Sequence, residues 1–351
     1  MSRIYHLQGT PYEIGFAMGQ ALGARLEANI KHYIRQRIPA GVTFDKVAWR
    51  KGALPWLREL PERYLEEFEG LASGAGLPLL SLAKWAYLEV LLENQCSGAI
   101  LILDQHAWVA RNNDIYAADM WGYVTIREVT GRIPAISFGM EGDVFTPTGI
   151  NREKLWLHYN WLPASDRLNP ALPHLPGYVL LQEALETCCN LQDLEKLLLQ
   201  VQRDGGMLIF AVDGKTDEAA LYECSRTDFR KRYPVEGWIV GANHTVGLVG
   251  ASSETEDPKP LSTHSRYRRL EVLAEAIFSR HPPGSSLQDT LPGELVSLLA
   301  DNEVEARRGE IQTAYSCVAC PATTDIWYTF GGYPSASCGD WQRLEWPWKI
   351  G

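Results

Sequence analysis

No run of apolar residues in this 351-residue chain approaches the roughly 18 that a membrane-spanning helix needs. The opening, MSRIYHLQGTPYEIGF, has no apolar core and no small-residue cleavage site, so it does not read as a secretory leader. Positive charge is also in deficit. Lys and Arg number 33 against 43 Asp and Glu, a net charge of −10, which argues against a nucleic-acid footprint. The seven cysteines are odd in number and lack the spacing of a disulfide scaffold, which suggests a reducing compartment and a cytoplasmic address. Several catalytic signatures are missing too: there is no G-x-S-x-G, no H-E-x-x-H and no G-x-G-x-x-G. Gly214-Lys215-Thr216 lacks the glycine of a phosphate loop, because Ile209 stands five residues earlier. Cys317 and Cys320 form a C-x-x-C, but no second pair at zinc spacing accompanies them, and three-residue spacing on a strand points them apart.

What is present changes texture at Cys96. Upstream, the pattern is helical. Thr10-Pro11-Tyr12-Glu13 combines a capping-box spacing with proline at the first helical position. Ile14, Met18, Leu22, Leu26 and Ile30 then form one apolar stripe. Two further helical blocks, about 48–68 (interrupted at Pro55 and Pro61) and 79–92, make residues 1–94 read as all-helical. From Cys96 the runs CSGAILIL, AWVARNNDI, YVTIREV and PAISFGM, split by turns at Asp104-Gln105 and Thr130-Gly131, predict a meander of antiparallel strands. EKLWLHYN is another strand. Two helices follow, divided by Asn190 as an N-cap. Strands return at MLIFAVDG, EAALYECS and GWIVGANH, helices at SRYRRLEVLAEAIF and GELVSLLADN, and two strands lie within TAYSCVACPATTDIWYTFGG. This alternation predicts an α+β chain, with sheets under helices, divided into a helical segment 1–95 and a body 96–351.

Cys96 has two readings. One is a small hydrophobe capping a buried strand. The other is a nucleophile, because after the Asp104-Gln105 turn the returning strand brings Arg111 and Asp114 back to its end of the hairpin. A cysteine needs a base or a positive neighbour to become a thiolate, and a charged cluster at a strand end is out of place in a plain core.

The spacing C-S-(x)13-R-N-N-D resembles the signature of the N-terminal-nucleophile cysteine amidases, penicillin acyltransferase and its relatives, and more distantly the choloylglycine hydrolases. GTPYEIGFAMGQALG, GINREKLWLHYN, GANHTV and HSRYRRLEVL are similar to further segments of the acyltransferase branch, in the same order along the chain. The resemblance implies a four-layer αββα sandwich and a precursor that cuts itself between Gln95 and Cys96, leaving two subunits of one chain. It implies no cofactor. Cys96 would be the nucleophile, with Arg111 and Asp114 holding the thiolate and the new ammonium group. Asn243 would donate to the oxyanion and Asn160 would bind the amino terminus or the substrate amide, with Arg266 as a supporting charge and His244 orienting its neighbour. The plain alternatives are turn or strand-end asparagines and a solvated helix-start arginine. Gln95 is a departure, since glycine is frequent there in the acyltransferase branch, and Asn113 is another, in place of a large apolar residue.

Trp108, Trp121, Trp156 and Trp161, among twelve tryptophans, lie in or beside these strands as pocket walls or as packing. The run Arg226, Arg230, Lys231, Arg232 suits either an anionic group or a solvated strand face. The expected substrate is a small N-acyl amide, and hydrolysis is preferred over acyl transfer because water needs no second binding site. The rival readings are an acyl-CoA-dependent acyltransferase and an uncut relative that only binds a ligand. The oligomeric state stays open, a homo-oligomer included.

Overall fold

Asp104 and Gln105 both adopt positive φ, 48° and 67°, the backbone of a two-residue hairpin turn whose twist matches its strands. They join β2 (Gln95–Leu103) to β3 (His106–Ile115). This hairpin lies inside a six-stranded sheet with β13 (Trp238–Gly241), β14 (Gln312–Cys320), β15 (Asp325–Phe330) and β16 (Asp340–Arg343), in the order β13-β2-β3-β14-β15-β16. An eight-stranded sheet faces it. Its members are β1 (Ile4–Gly9), β4 (Trp121–Val129), β5 (Ala135–Met140), β6 (Thr148–Asn151), β7 (Leu155–Leu162), β10 (Gly206–Asp213), β11 (Glu218–Cys224) and β12 (Phe229–Arg232), ordered β1-β4-β5-β6-β7-β10-β11-β12. A two-residue parallel pair, β8 (His174–Leu175) with β9 (Gln202–Arg203), stands apart. These elements come from a computed structural model that describes residues 4–38, 45–91, 95–248, 262–281, 291–307 and 309–349.

The two sheets meet through aromatic contacts, Trp121 on Tyr315 and Phe138 on Tyr328. Helices α6 (Gly177–Thr187) and α7 (Leu191–Gln200) pack on the eight-stranded sheet. Helices α8 (Thr263–Arg280), α9 (Leu291–Leu299) and the short α10 (Ser335–Cys338) pack on the six-stranded one. The result is the expected four-layer αββα sandwich. Asn190 caps α7 as its sequence predicts, its Oδ1 accepting the Asp193 N–H at 2.9 Å. Among the described residues no helix is long and apolar enough to cross a membrane.

The upstream residues form α1 (Pro11–Leu22), α2 (Ala24–Arg37), α3 (Lys46–Glu59), α4 (Glu62–Ala75) and α5 (Leu79–Val90). The Thr10–Glu13 capping box forms, and all five residues of the apolar stripe are buried. Gly23, at φ 52°, breaks that stripe into two helices. Pro55 lies inside α3 rather than interrupting it, while Pro61 does end it, as the residue before α4. Leu92 lies outside the described residues. The α1–α4 crossing is unusually close: a Cβ on Gly70 would lie 2.1 Å from the Tyr12 carbonyl oxygen, so only glycine fits.

Two expectations need correction. Residues 1–94 are not all helical, because β1 pairs parallel with β4. As an edge strand with Leu7 its one fully buried residue, β1 carries little periodic signal. Nor do the strands after Cys96 form one meander. β2 and β3 belong to one sheet and β4 to β7 to the other, a choice that local alternation does not encode.

Candidate active site

Strand register decides what meets the Cys96 thiol. β2 and β3 pair as Gln95↔Asp114, Cys96↔Asn113, Ser97↔Asn112 and Gly98↔Arg111. Directly opposed residues share a face. Cys96, Gly98, Arg111 and Asn113 therefore face the eight-stranded sheet, and Gln95, Ser97, Asn112 and Asp114 face the helices. A Cβ on Gly98 would lie 2.7 Å from His158 Nε2, so glycine lets the sheets close here.

On the inner face, Cys96 is 1% exposed and Arg111 fully buried. Arg111 Nη2 lies 3.7 Å from the Cys96 sulfur and donates to Asn113 Oδ1 at 2.7 Å, while Nη1 donates to the Pro147 carbonyl at 2.5 Å. The thiol lies 3.6 Å from Asn113 Oδ1, and the nearby backbone N–H of Asp114 favours the thiolate. Burial pushes the thiol pKa up, and the Arg111 guanidinium opposes it by favouring the thiolate. His158 accepts the Trp156 indole N–H at 3.0 Å and stacks on Phe210. Burial, with Arg111 adding, drives its pKa well down and keeps the ring neutral.

The other face and the strand end hold the Cys96 backbone. Its N–H donates to Asn243 Oδ1 at 2.9 Å. Arg266 Nη1 donates to the Cys96 carbonyl at 2.5 Å and to Ser97 Oγ at 3.0 Å, and Nη2 to Asn243 Oδ1 at 2.8 Å. Asn243 Nδ2 donates to the Trp161 carbonyl at 2.8 Å. Asn160 Nδ2 donates to the Ala242 carbonyl at 2.8 Å, anchoring the residue before Asn243, while its Oδ1 is buried without a partner. The Asp114 carboxyl accepts from Thr313 Oγ1 at 2.6 Å; burial pushes it up to about 7, with Arg266 opposing. His244 Nδ1 lies 2.7 Å from Thr263 Oγ1, and burial, helped by His264 and Arg266, pushes its pKa down to about 4.

The five other predicted catalytic residues thus lie around Cys96, although their contacts differ from the expected ones. Asp114 gives its carboxyl to Thr313 on the helix-facing side rather than to the sulfur. Asn243 faces the Cys96 nitrogen with its oxygen, and its N–H is taken by Trp161. Asn113 was not singled out as a site residue, yet it bridges Arg111 and the thiol. Its signal was in the R-N-N-D run, where the second residue after Arg111 must share its face.

A cavity of about 540 Å³ opens beside Trp161, between the ends of α3 and α5, β7, the start of α6 and the turn before β10. The Cys96 thiol does not line it. Of the tryptophans named from sequence, only Trp161 does. Trp108 stacks on Trp327 on the helix-facing side, and Trp121 and Trp156 are fully buried between the sheets. Tyr159 and Tyr178, which line the cavity and lie within electrostatic reach of Cys96, were not anticipated.

No family model matches the chain. Among solved structures, penicillin V acylase from Agrobacterium tumefaciens is similar at a TM-score of 0.50 and 13% identity, over 71% of this chain and 86% of that one. A conjugated bile acid hydrolase from Clostridium perfringens matches at 0.47 and 12% identity over 72% and 97% of the two chains. A Caenorhabditis elegans ortholog of N-acylethanolamine-hydrolyzing acid amidase matches at 0.46 and 10%, over 65% and 93%. At such identities the likeness is one of fold. The four-layer arrangement that this chain shares with penicillin V acylase is the N-terminal-nucleophile hydrolase fold.

Proposed function

We propose that the chain is a cysteine amidohydrolase made as a self-cleaving precursor, acting on a small N-acyl amide through an acyl-thioester on Cys96. One observation carries this reading: the same residue has its thiol 3.7 Å from the Arg111 guanidinium and its backbone N–H 2.9 Å from Asn243 Oδ1. Thiol and main-chain nitrogen are both held, which a merely structural cysteine does not need.

In the first step the Cys96 sulfur attacks the Gln95 carbonyl carbon. The Gln95–Cys96 C–N bond breaks, the nitrogen takes a proton, and water hydrolyses the resulting thioester to a Gln95 carboxylate. The freed α-amino group, with an ordinary pKa of about 7.7–8.0, is then a base beside its own thiol. Asn243 Oδ1 and Arg266 hold that nitrogen and the Cys96 carbonyl in place. In turnover the amine takes the thiol proton and the sulfur attacks the substrate carbonyl. The amine product leaves with a proton, and water releases the acid. Arg111 favours the thiolate throughout. Asn243 Nδ2, freed from Trp161, becomes the oxyanion donor, a contribution typically of about 2.7–4 kcal/mol.

The test is intact mass under denaturing conditions, wild type beside Cys96→Ala. The expected result is two fragments, of 95 and 351 − 95 = 256 residues, in the wild type only. A single intact chain in both, with no N-acyl amide turned over, sinks the proposal and leaves a binding protein.

A further inference from the structure

The cavity beside Trp161 has aromatic walls, and Glu59, Asp204, Arg226 and His174 also line it. Trp56 and Tyr87, from α3 and α5, stack at 5.1 Å, and Tyr159 meets Tyr178 edge-on at 4.8 Å. Two carboxyls reach the same space, Glu59 at the exposed rim and the deeper Asp204. Among the described residues the one arginine lining it, Arg226, turns to backbone: Nε donates to the Asp204 carbonyl at 3.0 Å and Nη1 to the Asp166 carbonyl at 2.6 Å.

We infer that this cavity binds a positively charged ammonium group, carried on the part of the substrate remote from the scissile amide. The inference rests on the amidase reading only in calling the ligand a substrate. Aromatic faces attract cations through the ring quadrupole, and the carboxylate supplies the countercharge. Asp204 is fixed for that task. Its main chain is held, the N–H donating to the Leu175 carbonyl at 3.2 Å and the carbonyl accepting from Arg226 Nε at 3.0 Å, while the nearby Gly177 and Gly205 backbone N–H groups favour its carboxylate and leave acceptor capacity for a ligand. Burial pushes this carboxyl up to about 7 against the opposing Arg226 guanidinium, so even with that neighbour the carboxyl is costly to ionise. A bound cation offsets that cost. A neutral acyl group adds nothing to what Arg226 supplies, and an anion meets two carboxyls beside a guanidinium whose Nε and Nη1 are given to backbone.

Because Trp56, Glu59 and Tyr87 precede Cys96, the upstream segment becomes a specificity-determining wall that the enzyme keeps after cleavage. Trp161 links this wall to the chemistry, lining the cavity with its side chain while its carbonyl holds Asn243.

The experiment titrates Cys96→Ala protein, which binds without turnover, and reads tryptophan fluorescence. Three probes are compared: the anilides of hexanoic acid, ω-trimethylammonio-hexanoic acid and the monoanilide of adipic acid. The cationic anilide is expected to bind at least about tenfold more tightly than the neutral one, with the anionic one weakest. Asp204→Asn should remove the preference. Asp204 also lies beside the first residue of α6, so Trp56→Leu is measured alongside and should weaken the preference through the aromatic wall alone. Equal binding of the neutral and cationic probes, or a preference that survives both substitutions, overturns the inference. Cationic selectivity in a wild type that neither cuts itself nor turns over amides would keep this site and remove the amidase reading. Wild-type hydrolysis of all three anilides at one kcat/KM would do the reverse.

Discussion

The Arg111 guanidinium lies 3.7 Å from the Cys96 sulfur, and among the described residues no carboxylate forms a salt bridge with it. A buried cation without an anionic partner gains most when the thiol ionises. Arg111→Met should therefore raise the thiol pKa, and Arg111→Lys should restore part of the difference. The rate of Cys96 alkylation by iodoacetamide against pH checks this, with about a tenfold loss at fixed pH for each unit of increase. An unchanged profile would mean that the Asp114 N–H and Asn113 alone set the sulfur's environment. At this scale much of the site was legible. Cys96, Arg111 and Asp114 were readable as a hairpin cluster, and the two asparagines and Arg266 through the family resemblance. Which atom of each does the work was not, because that depends on register across strands and on backbone groups that have no letter in the sequence.

Among the elements, the upstream helices are tied to the body by a buried ion cluster. Arg127 on β4 donates to both Glu67 oxygens on α4, at 2.6 and 2.7 Å, and to Glu186 on α6 at 3.2 Å. Arg63 of α4 reaches Glu186 at 2.5 Å. Removing one member strands buried charge, at a cost of about 3–5 kcal/mol. Wild-type protein cut at Cys96 should therefore run as one species on size exclusion, the two pieces held by this cluster and by β1. Arg127→Met should destabilise the chain by about that amount in urea and release the upstream piece after cleavage. Release from the wild type itself would show that the segment is a removable propeptide. None of this was visible locally. Arg127 reads as an outward strand residue and Glu67 as a solvated helix residue until tertiary contact buries both.

For the whole molecule, three buried carboxyls, Asp114, Asp143 and Asp204, are each pushed up to about 7 by burial. Asp143 shares a hydrogen bond with Glu89 of α5, whose own pKa is driven up by burial and by Asp143. The folded chain thus keeps protons that the unfolded chain loses near a pKa of about 3.9. Between those values folding takes up protons, so stability falls as pH rises, by up to about 1.4 kcal/mol per pH unit for each such group. Scanning calorimetry should show a higher unfolding midpoint near pH 5 than near pH 8. Asp143→Asn should narrow the gap. A midpoint that climbs over that range would mean these acids ionise freely in the fold.

Elements with strong periodicity or explicit punctuation were legible before any fold was known. These include the capping box at Thr10, the stripe from Ile14 to Ile30, the Asn190 cap and the hairpin at Asp104-Gln105. Turn geometry, being local, also placed Arg111 and Asp114 at the Cys96 end of the hairpin, while Asn160, Asn243 and Arg266 entered through the family resemblance. Long-range packing settled that β1 joins the body's sheet, that the strands after Cys96 divide between two sheets, and that Asp114 turns its carboxyl away from the sulfur. It also decided that the upstream helices wall the cavity. Those outcomes depend on which distant surfaces bury one another, and hydrophobic packing is non-directional: it rewards burial without recording in any one segment where the partner will come from.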